Sequence, residues 1–185
     1  MENTVNIFYV DKDPAVAAQC LVDKHVVKMI LESAQLLSTA HRLLDGVEIE
    51  GKSKTGRKAR RWTLPDSRES VMYAATHINH PSAVWCRTSV QNYDWLVDHM
   101  YALMREYTNR YGKRHKCQGD LSYMLQSPPH NLKDWDWTEM PSCMAEEYII
   151  SKEPLTNYRN YYRIGKLNLH KWTNRQPPEW INEQV

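Results

Sequence analysis

The chain has 185 residues and a formal net charge of +2, so it is not a general polycation, and its 42% apolar and 25% charged residues are ordinary for a globular protein. We expect one helical domain over residues 1–185, which lacks the ~20-residue apolar run of a membrane span and the basic, apolar start of a signal peptide. These features exclude a membrane partner and favour a cytoplasmic protein. The four scattered cysteines form no C-x-x-C pair, so we expect them to be reduced.

The N-terminal quarter begins with two short predicted elements. Residues 4–10 are β-branched and aromatic, which predicts one short strand. Asp13 and Pro14 predict a helix start, because aspartate caps a helix and proline fits its first turn. That helix extends to about Val22.

A longer helix is predicted from Lys24 to Leu44, with Asp23 as its cap and Asp45-Gly46 as its end. Polar side chains share a narrow arc of this helix: Lys24, Lys28, Glu32, Gln35, Thr39 and Arg42, with His25 beside them. Apolar side chains cover roughly 220° of the remaining circumference. We therefore expect a largely buried helix whose polar strip faces a cleft.

Lys28 and Glu32 are four residues apart, so they can pair directly. One interpretation is a cleft floor that carries a cation and a carboxylate. The alternative is a solvated strip with one ordinary ion pair.

Residues 46–66 form a polar, basic loop or hairpin. Six cations lie within residues 51–61, which contain no acid: Lys52, Lys54, Arg57, Lys58, Arg60 and Arg61. Such a run attracts phosphates and predicts contact with nucleic acid. A solvated loop is the alternative.

The middle of the chain predicts a helix over 67–76, a turn at His77–Pro81, and a helix from Ser82 or Thr88 to Tyr111 that ends at Gly112. Four polar residues share one edge of this last helix: Asn92, His99, Glu106 and Arg110. That edge is where a second helix would contribute to the cleft. Arg87, which lies two residues after Trp85, and Arg110 are candidate nucleic-acid-binding residues that could clamp a phosphate.

His77 and His80 have a spacing that metal sites use, and His25 and His41 could join them. No carboxylate or cysteine completes a recognised zinc spacing, so we expect no metal and no cofactor. Hydrogen bonding to backbone in a turn is the alternative role for these histidines.

The C-terminal part is broken by prolines into short helical pieces at 118–126, 142–150 and 154–164, followed by a Pro- and Trp-rich tail at 165–185. Tyr158 and Arg159 combine an aromatic face with a guanidinium, which suits stacking on bases. Packing on the body of the protein is the alternative.

These elements predict a mainly α fold, a single-domain orthogonal helical bundle with at most a short N-terminal strand or hairpin. G-x-G-x-x-G, P-loop and G-x-S-x-G motifs are absent from the sequence, which argues against nucleotide-cofactor folds and serine hydrolases. Acid–base or amine chemistry remains. The candidate catalytic residues are Lys28, Glu32, Lys24, Glu106 and His80. The candidate pocket residues are Gln35, His25, His77, Trp85, Asn92 and His99.

Three runs, DKHVVKMILESAQLLSTAHR, HPSAVWCRTSVQNYDWL and EYTNRYGKRH, resemble a group of small helical proteins encoded by tailed bacteriophages. The resemblance covers most of the chain. It implies a viral origin and expression in a bacterial host, but it supplies no activity.

A fainter resemblance is to the pyrimidine-dimer DNA glycosylase (endonuclease V) family. It rests on an early Gln-containing helix, a His before a long helix, the end of that helix at Arg110-Tyr111-Gly112, and Pro178-Glu179-Trp180. The resemblance implies a small helical enzyme that cleaves the glycosidic bond at damaged pyrimidines with an amine and a carboxylate.

One departure from that family concerns the amine, which in the family is the N-terminal α-amine exposed after removal of Met. Glu2 follows Met1 in this chain and disfavours that removal. We therefore expect Lys28 or Lys24 to supply the amine, with Glu32 or Glu106 as the carboxylate.

The leading hypothesis is a DNA-acting enzyme of the glycosylase/lyase kind, in DNA repair or modification. Lys28 would be the nucleophile or a phosphate clamp, and Glu32 the general acid–base group. The basic loop and Arg87 would hold the DNA backbone, and Tyr and Trp side chains would fill the gap left by a flipped base.

Two alternatives stay open. The first is a non-catalytic phage protein that binds a host protein or nucleic acid. The second is an enzyme acting on a small phosphorylated metabolite such as a nucleotide. The sequence leaves the oligomeric state undetermined.

Overall fold

The computed structural model describes residues 5–52 and 55–183, and in these ranges the fold is mainly helical with one short hairpin, as predicted. The helices are α1 (Pro14–Cys20), α2 (Asp23–Asp45), α3 (Arg68–Val71), α4 (Pro81–Cys86), α5 (Val90–Tyr111), α6 (Asp120–Met124) and α7 (Pro154–Gly165). The antiparallel strands are β1 (Val47–Lys52) and β2 (Lys58–Thr63). Single 3₁₀ turns lie at Glu146–Tyr148, Leu167–Leu169 and Glu179–Asn182. No described helix is long and apolar enough to cross a bilayer.

The core lies between the two long helices. α2 packs along α5, and α1 also packs on α5. Met29 and Leu37 of α2 and Leu96 and Leu103 of α5 are fully buried. Each such side chain stabilises the fold by about 2 kcal/mol. The prediction that α2 is largely buried is confirmed.

The ends of the helices follow local chemistry. The Asp13 carboxylate accepts hydrogen bonds from the amides of Ala15 and Val16 and caps α1, as predicted. Gly112 ends α5 with φ of +64°, a conformation that glycine adopts without cost. Asp23 is not the cap of α2 but its first helical residue.

The predicted strand at residues 4–10 is wrong for the part of it that the structure describes. Residues 5–10 form an irregular buried segment, because the Asn6 side chain accepts hydrogen bonds from the amides of Ile7 and Phe8. Phe8 has φ of +57°, which a strand does not permit. Residue 4 lies outside the described residues.

One other boundary differs from prediction, and another agrees with it. The helix predicted over 67–76 is one turn long, because the carbonyls of Met72 and Tyr73 accept hydrogen bonds from Arg42 and the chain leaves the helix there. For the helix predicted from Ser82 or Thr88 to Tyr111, the structure agrees with the later start, since α5 begins at Val90 and Pro81–Cys86 form the separate helix α4. Ser89 caps α5 by accepting a hydrogen bond from the amide of Asn92.

The basic loop is a hairpin, and its second strand is partly neutralised by its first. Glu48 pairs with Arg60 through two hydrogen bonds, and Glu50 forms an ion pair with Lys58. Residues 51–61 contain no acid, but two glutamates of the facing strand β1 thus neutralise two of their cations. Lys54 and the Lys52 side chain lie outside the described part of the chain.

Arg42 fastens the hairpin to the helical body. Its buried guanidinium donates to the carbonyls of Trp62, Met72 and Tyr73 and to the carboxylate of Glu69 at 2.6 Å. Three segments of the chain thus share one cation.

We expect Arg42→Met to lower the free energy of unfolding by about 3 kcal/mol, because several buried acceptors lose their donor. Arg60→Met, which removes an exposed ion pair, is the matched control and should cause a much smaller change. Urea unfolding of both variants measures the difference. Equal losses would contradict the anchoring role of Arg42.

Candidate active site

Glu32 is a buried carboxylate with two specific partners on opposite oxygens. Its Oε2 accepts a hydrogen bond from the backbone amide of Asn6 at 3.0 Å, and its Oε1 lies 3.1 Å from Nζ of Lys28. The side chain of Glu32 is 12% exposed, whereas that of Lys28 is 46% exposed. The acid is therefore held at the edge of the core, and the cation that faces it reaches solvent.

The segment that delivers the Asn6 amide is strained. Phe8 adopts a left-handed conformation that costs about 1–3 kcal/mol for a residue of this kind. The Asn6 side chain holds the turn, and the Phe8 ring stacks on His25 with 4.2 Å between ring centroids. Tyr162 in turn fixes His25 through a hydrogen bond of 2.7 Å to Nδ1. The backbone beside Glu32 is thus set by buried contacts.

A cleft of about 430 Å³ opens beside this segment. It is lined by Asn6, His80, Cys143 and Tyr161 among others, and we call it the Asn6 cleft. Asn6 joins it to the acid, because its amide contacts Glu32 while its side-chain nitrogen donates to the carbonyl of Cys143 at 2.8 Å. Four separate parts of the chain meet at this point.

One wall of the Asn6 cleft is an aromatic stack backed by a lysine. Nζ of the buried Lys166 lies 4.5 Å from the ring centroid of Tyr161, and burial lowers the pKa of Lys166. Gly165 allows this packing, since a Cβ atom there would lie 2.7 Å from the Tyr161 ring and 2.9 Å from Tyr148. The wall therefore depends on a glycine at the end of α7.

The polar residues on the edge of α5 do not join the Asn6 cleft. Glu106 binds Arg110 and Arg175, and Arg110 also binds the carboxylate of Asp23 and backbone carbonyls of α1. Asn92 donates to the carbonyl of Trp85. This edge stabilises contacts among α1, α2, α5 and the tail.

Two buried side chains that were predicted to line the pocket, those of His99 and Trp85, also bind other parts of the protein. His99 uses Nδ1 to bind the carbonyl of Pro14 at 2.9 Å and stacks on Trp95. Trp85 donates from its indole nitrogen to the carbonyl of Thr138. Their polar groups point into the core.

The remaining residues of the predicted polar strip have mixed positions. Lys24 is exposed, and Gln35 is half-buried. His77 is exposed at the start of the turn that leads to His80, and its Nδ1 lies 2.9 Å from the hydroxyl of Thr76.

Neither predicted base-stacking residue on α7 presents an open face. Tyr158 is fully buried, and its hydroxyl donates to the carbonyl of Pro141. Arg159 pairs with Asp11 at 3.0 Å and lies over the ring of Trp180. Arg87 is half-buried and donates to the carbonyl of Ile78, which links it to the His77–His80 turn.

A larger hollow of about 540 Å³ lies against the hairpin and is lined by Glu48, Ile49, Lys58 and Arg60. Its charged side chains are exposed and already paired with each other. Buried Glu106 lines another cavity, of about 240 Å³, but both of its oxygens are held by arginines. We place the candidate active site at the Asn6 cleft, because Asn6 connects that cavity to the buried Glu32 and its exposed partner Lys28. Among the described residues, no group of three or more His, Cys, Asp or Glu is arranged to hold a metal ion.

A family model described as pyrimidine dimer DNA glycosylase matches residues 5–119, well over half of the chain. The chain belongs to the pyrimidine dimer DNA glycosylase family. The match includes Asn6, Lys28, Glu32 and His80 and ends before Cys143. No curated protein and no solved structure shows significant similarity to the chain. In this glycosylase family member, Glu32, Lys28 and Asn6 thus lie in the matched part. The wall of the Asn6 cleft that contains Cys143 lies outside it.

Sequence reasoning missed Asn6, Cys143 and Lys166 as parts of the site. Asn6 and Cys143 are 137 residues apart, and no local pattern connects them. The Asn at the start of an apolar run is the only local signal, because asparagine side chains often bind nearby backbone amides.

Buried histidines should make the protein sensitive to acid. Burial lowers the pKa of His25 to about 3 and the pKa of His41 and His99 to about 4. Unfolding returns each to about 6.5, so the stabilisation is complete above that pH and is lost as the pH falls.

We expect the free energy of unfolding to fall as the pH is lowered from 6 to 4.5. The slope should correspond to about two to three protons taken up on unfolding. His99→Gln should reduce the uptake by about one proton. Urea titrations across this pH range measure the slope, and a flat profile would contradict the buried neutral state of these histidines.

Proposed function

We propose that this protein excises damaged pyrimidines from duplex DNA, with Glu32 as the general acid–base group. The observation that supports the proposal most strongly is the bridge from Lys28 through Glu32 to the Asn6 amide beside the Asn6 cleft, in a chain of the glycosylase family. A buried carboxylate within hydrogen-bonding distance of an amine is the geometry that general acid–base catalysis requires.

Two routes use the same pair of residues. In the amine route, Glu32 takes a proton from Nζ of Lys28, the freed lone pair attacks C1′ of the sugar, and the C1′–N1 bond breaks with its electron pair going to the base. In the water route, Glu32 takes a proton from the attacking water, and Lys28 holds a neighbouring phosphate. In the amine route the nitrogen then loses a proton and the C1′–O4′ bond breaks, with O4′ taking up a proton, so that a covalent imine forms that borohydride reduces. The water route forms no imine.

The hairpin is proposed to hold the DNA backbone. It is attached through Arg42, which lies ten residues beyond Glu32 on α2, a distance of about 15 Å along the helix. That separation is shorter than the width of a duplex, so one strand near Glu32 and a phosphate near the hairpin fit a single bound DNA. Arg57 at the exposed tip and Arg87 beside the His77–His80 turn are the proposed phosphate ligands.

We also infer a tailed-bacteriophage origin, with bacterial cytoplasm as the place of action. The three runs quoted from the sequence support this origin.

Glu32→Gln should lower the single-turnover rate on ultraviolet-irradiated duplex roughly 100-fold or more, since glutamine can still accept from the Asn6 amide but cannot take up a proton. The free energy of unfolding should change little. An active Glu32→Gln enzyme would contradict the proposal.

Lys28→Met and Lys24→Met form a matched pair of lysine substitutions one helical turn apart. We expect only Lys28→Met to lose activity. Borohydride treatment of the wild-type protein on an irradiated duplex then separates the routes: a trapped adduct supports the amine route, and glycosidic cleavage without an adduct, detected as alkali-labile abasic sites, supports the water route. Absence of both glycosidic cleavage and adduct on the irradiated duplex would contradict the proposed function.

Arg57→Ala should weaken duplex binding and reduce the slope of log K against log salt concentration by about 0.9, the value for one lost phosphate contact. Arg105→Ala, an exposed arginine on α5, is the control and should leave the slope unchanged. Fluorescence anisotropy at several salt concentrations gives both slopes. Equal slopes for Arg57→Ala and wild type would remove Arg57 from the interface.

A further inference from the structure

His80 is held in one tautomer by the start of α4. The backbone amide of Ser82 donates to Nδ1 of His80 at 3.2 Å. A backbone amide can only donate, so Nδ1 carries no proton, and the neutral ring must carry its proton on Nε2.

Nε2 of His80 is accessible to solvent. Within residues 5–52 and 55–183, this nitrogen has no hydrogen-bond partner. His80 also lines the cleft beside Asn6, whose amide binds Glu32. The ring thus carries an unused N–H donor, and the residue lines the same cleft as the neighbour of the acid.

The surroundings of the ring favour its neutral form. Burial, followed by the charge of His77, lowers the pKa of His80. A neutral donor stabilises negative charge that appears only during the reaction, without attracting anions beforehand.

Glycosidic cleavage needs such a donor. When the C1′–N1 bond breaks, its electron pair passes to the departing pyrimidine and is shared between N1 and the O2 carbonyl. A hydrogen bond to O2 is then stronger in the transition state than in the bound substrate, which is the condition for acceleration.

We propose that Nε2–H of His80 donates a hydrogen bond to the O2 carbonyl of the departing pyrimidine while Nδ1 caps α4. This role rests on the proposed function. It makes His80 a catalytic residue and assigns the Asn6 cleft to the damaged base.

Two substitutions separate the two nitrogens. His80→Asn places an amide oxygen near the position of Nδ1 and keeps the cap, but it has no donor at the position of Nε2. His80→Gln places an amide N–H near the position of Nε2 and loses most of the cap. The two variants should therefore rank in opposite orders for stability and for activity.

We expect His80→Asn to be as stable as wild type in urea unfolding but to lose about 10- to 100-fold in single-turnover rate on irradiated duplex. His80→Gln should be less stable but should stay within about fivefold of the wild-type rate. Dissociation constants for the duplex should agree within about threefold for all three proteins, because the donor acts in the chemical step.

Full activity of His80→Asn in the presence of an active wild type would overturn this inference alone and leave Glu32 chemistry intact. Loss of activity in proportion to stability across both variants would assign His80 a capping role only and would overturn it as well. A wild-type protein that does not cleave any damaged duplex would overturn the proposed function and this inference together.

Discussion

The hydrogen bond from the Asn6 amide to Glu32 is the contact on which the candidate site depends. A carboxylate at the edge of an apolar helix needs more than one partner, and the exposed Lys28 alone could be replaced by water. The amide holds the acid in place and also draws the strained 5–10 segment across α2. That segment carries Phe8 onto His25 and brings Asn6 to the cleft. The same hydrogen bond therefore fixes both the position of the Glu32 carboxylate and the path of residues 5–10.

α2 performs three tasks at three positions along its length. At its start, Asp23 binds Arg110 of α5 and Thr173 of the tail. At its middle lies Glu32, and near its end Arg42 ties down the hairpin. The two terminal networks are buried and fully occupied by protein partners, so they stabilise the scaffold. At the middle position, Glu32 has an exposed lysine partner and is connected through Asn6 to a cavity, which suits a rigid element that presents a reactive group.

The local parts of this arrangement could be predicted from sequence, and the non-local parts could not. The Lys28–Glu32 pair follows from helical spacing, and the caps at Asp13 and Gly112 follow from residue chemistry. A helical wheel also places Glu106 and its neighbours on one edge of α5. It does not reveal that an arginine from the tail occupies that edge. The strand at 4–10 failed for a similar reason: composition favoured a strand, but the Asn6 side chain captured the amides that a partner strand would have used.

A crystal structure of the Glu32→Gln variant bound to a duplex with a stable abasic-site analogue tests the central claim most directly. We predict that C1′ of the analogue lies within about 4 Å of the side chain at position 32 and that the Asn6 cleft is occupied from the same side. A duplex bound at the hairpin or elsewhere, with every C1′ atom more than about 10 Å from position 32, would contradict the assignment of Glu32 as the catalytic acid–base group.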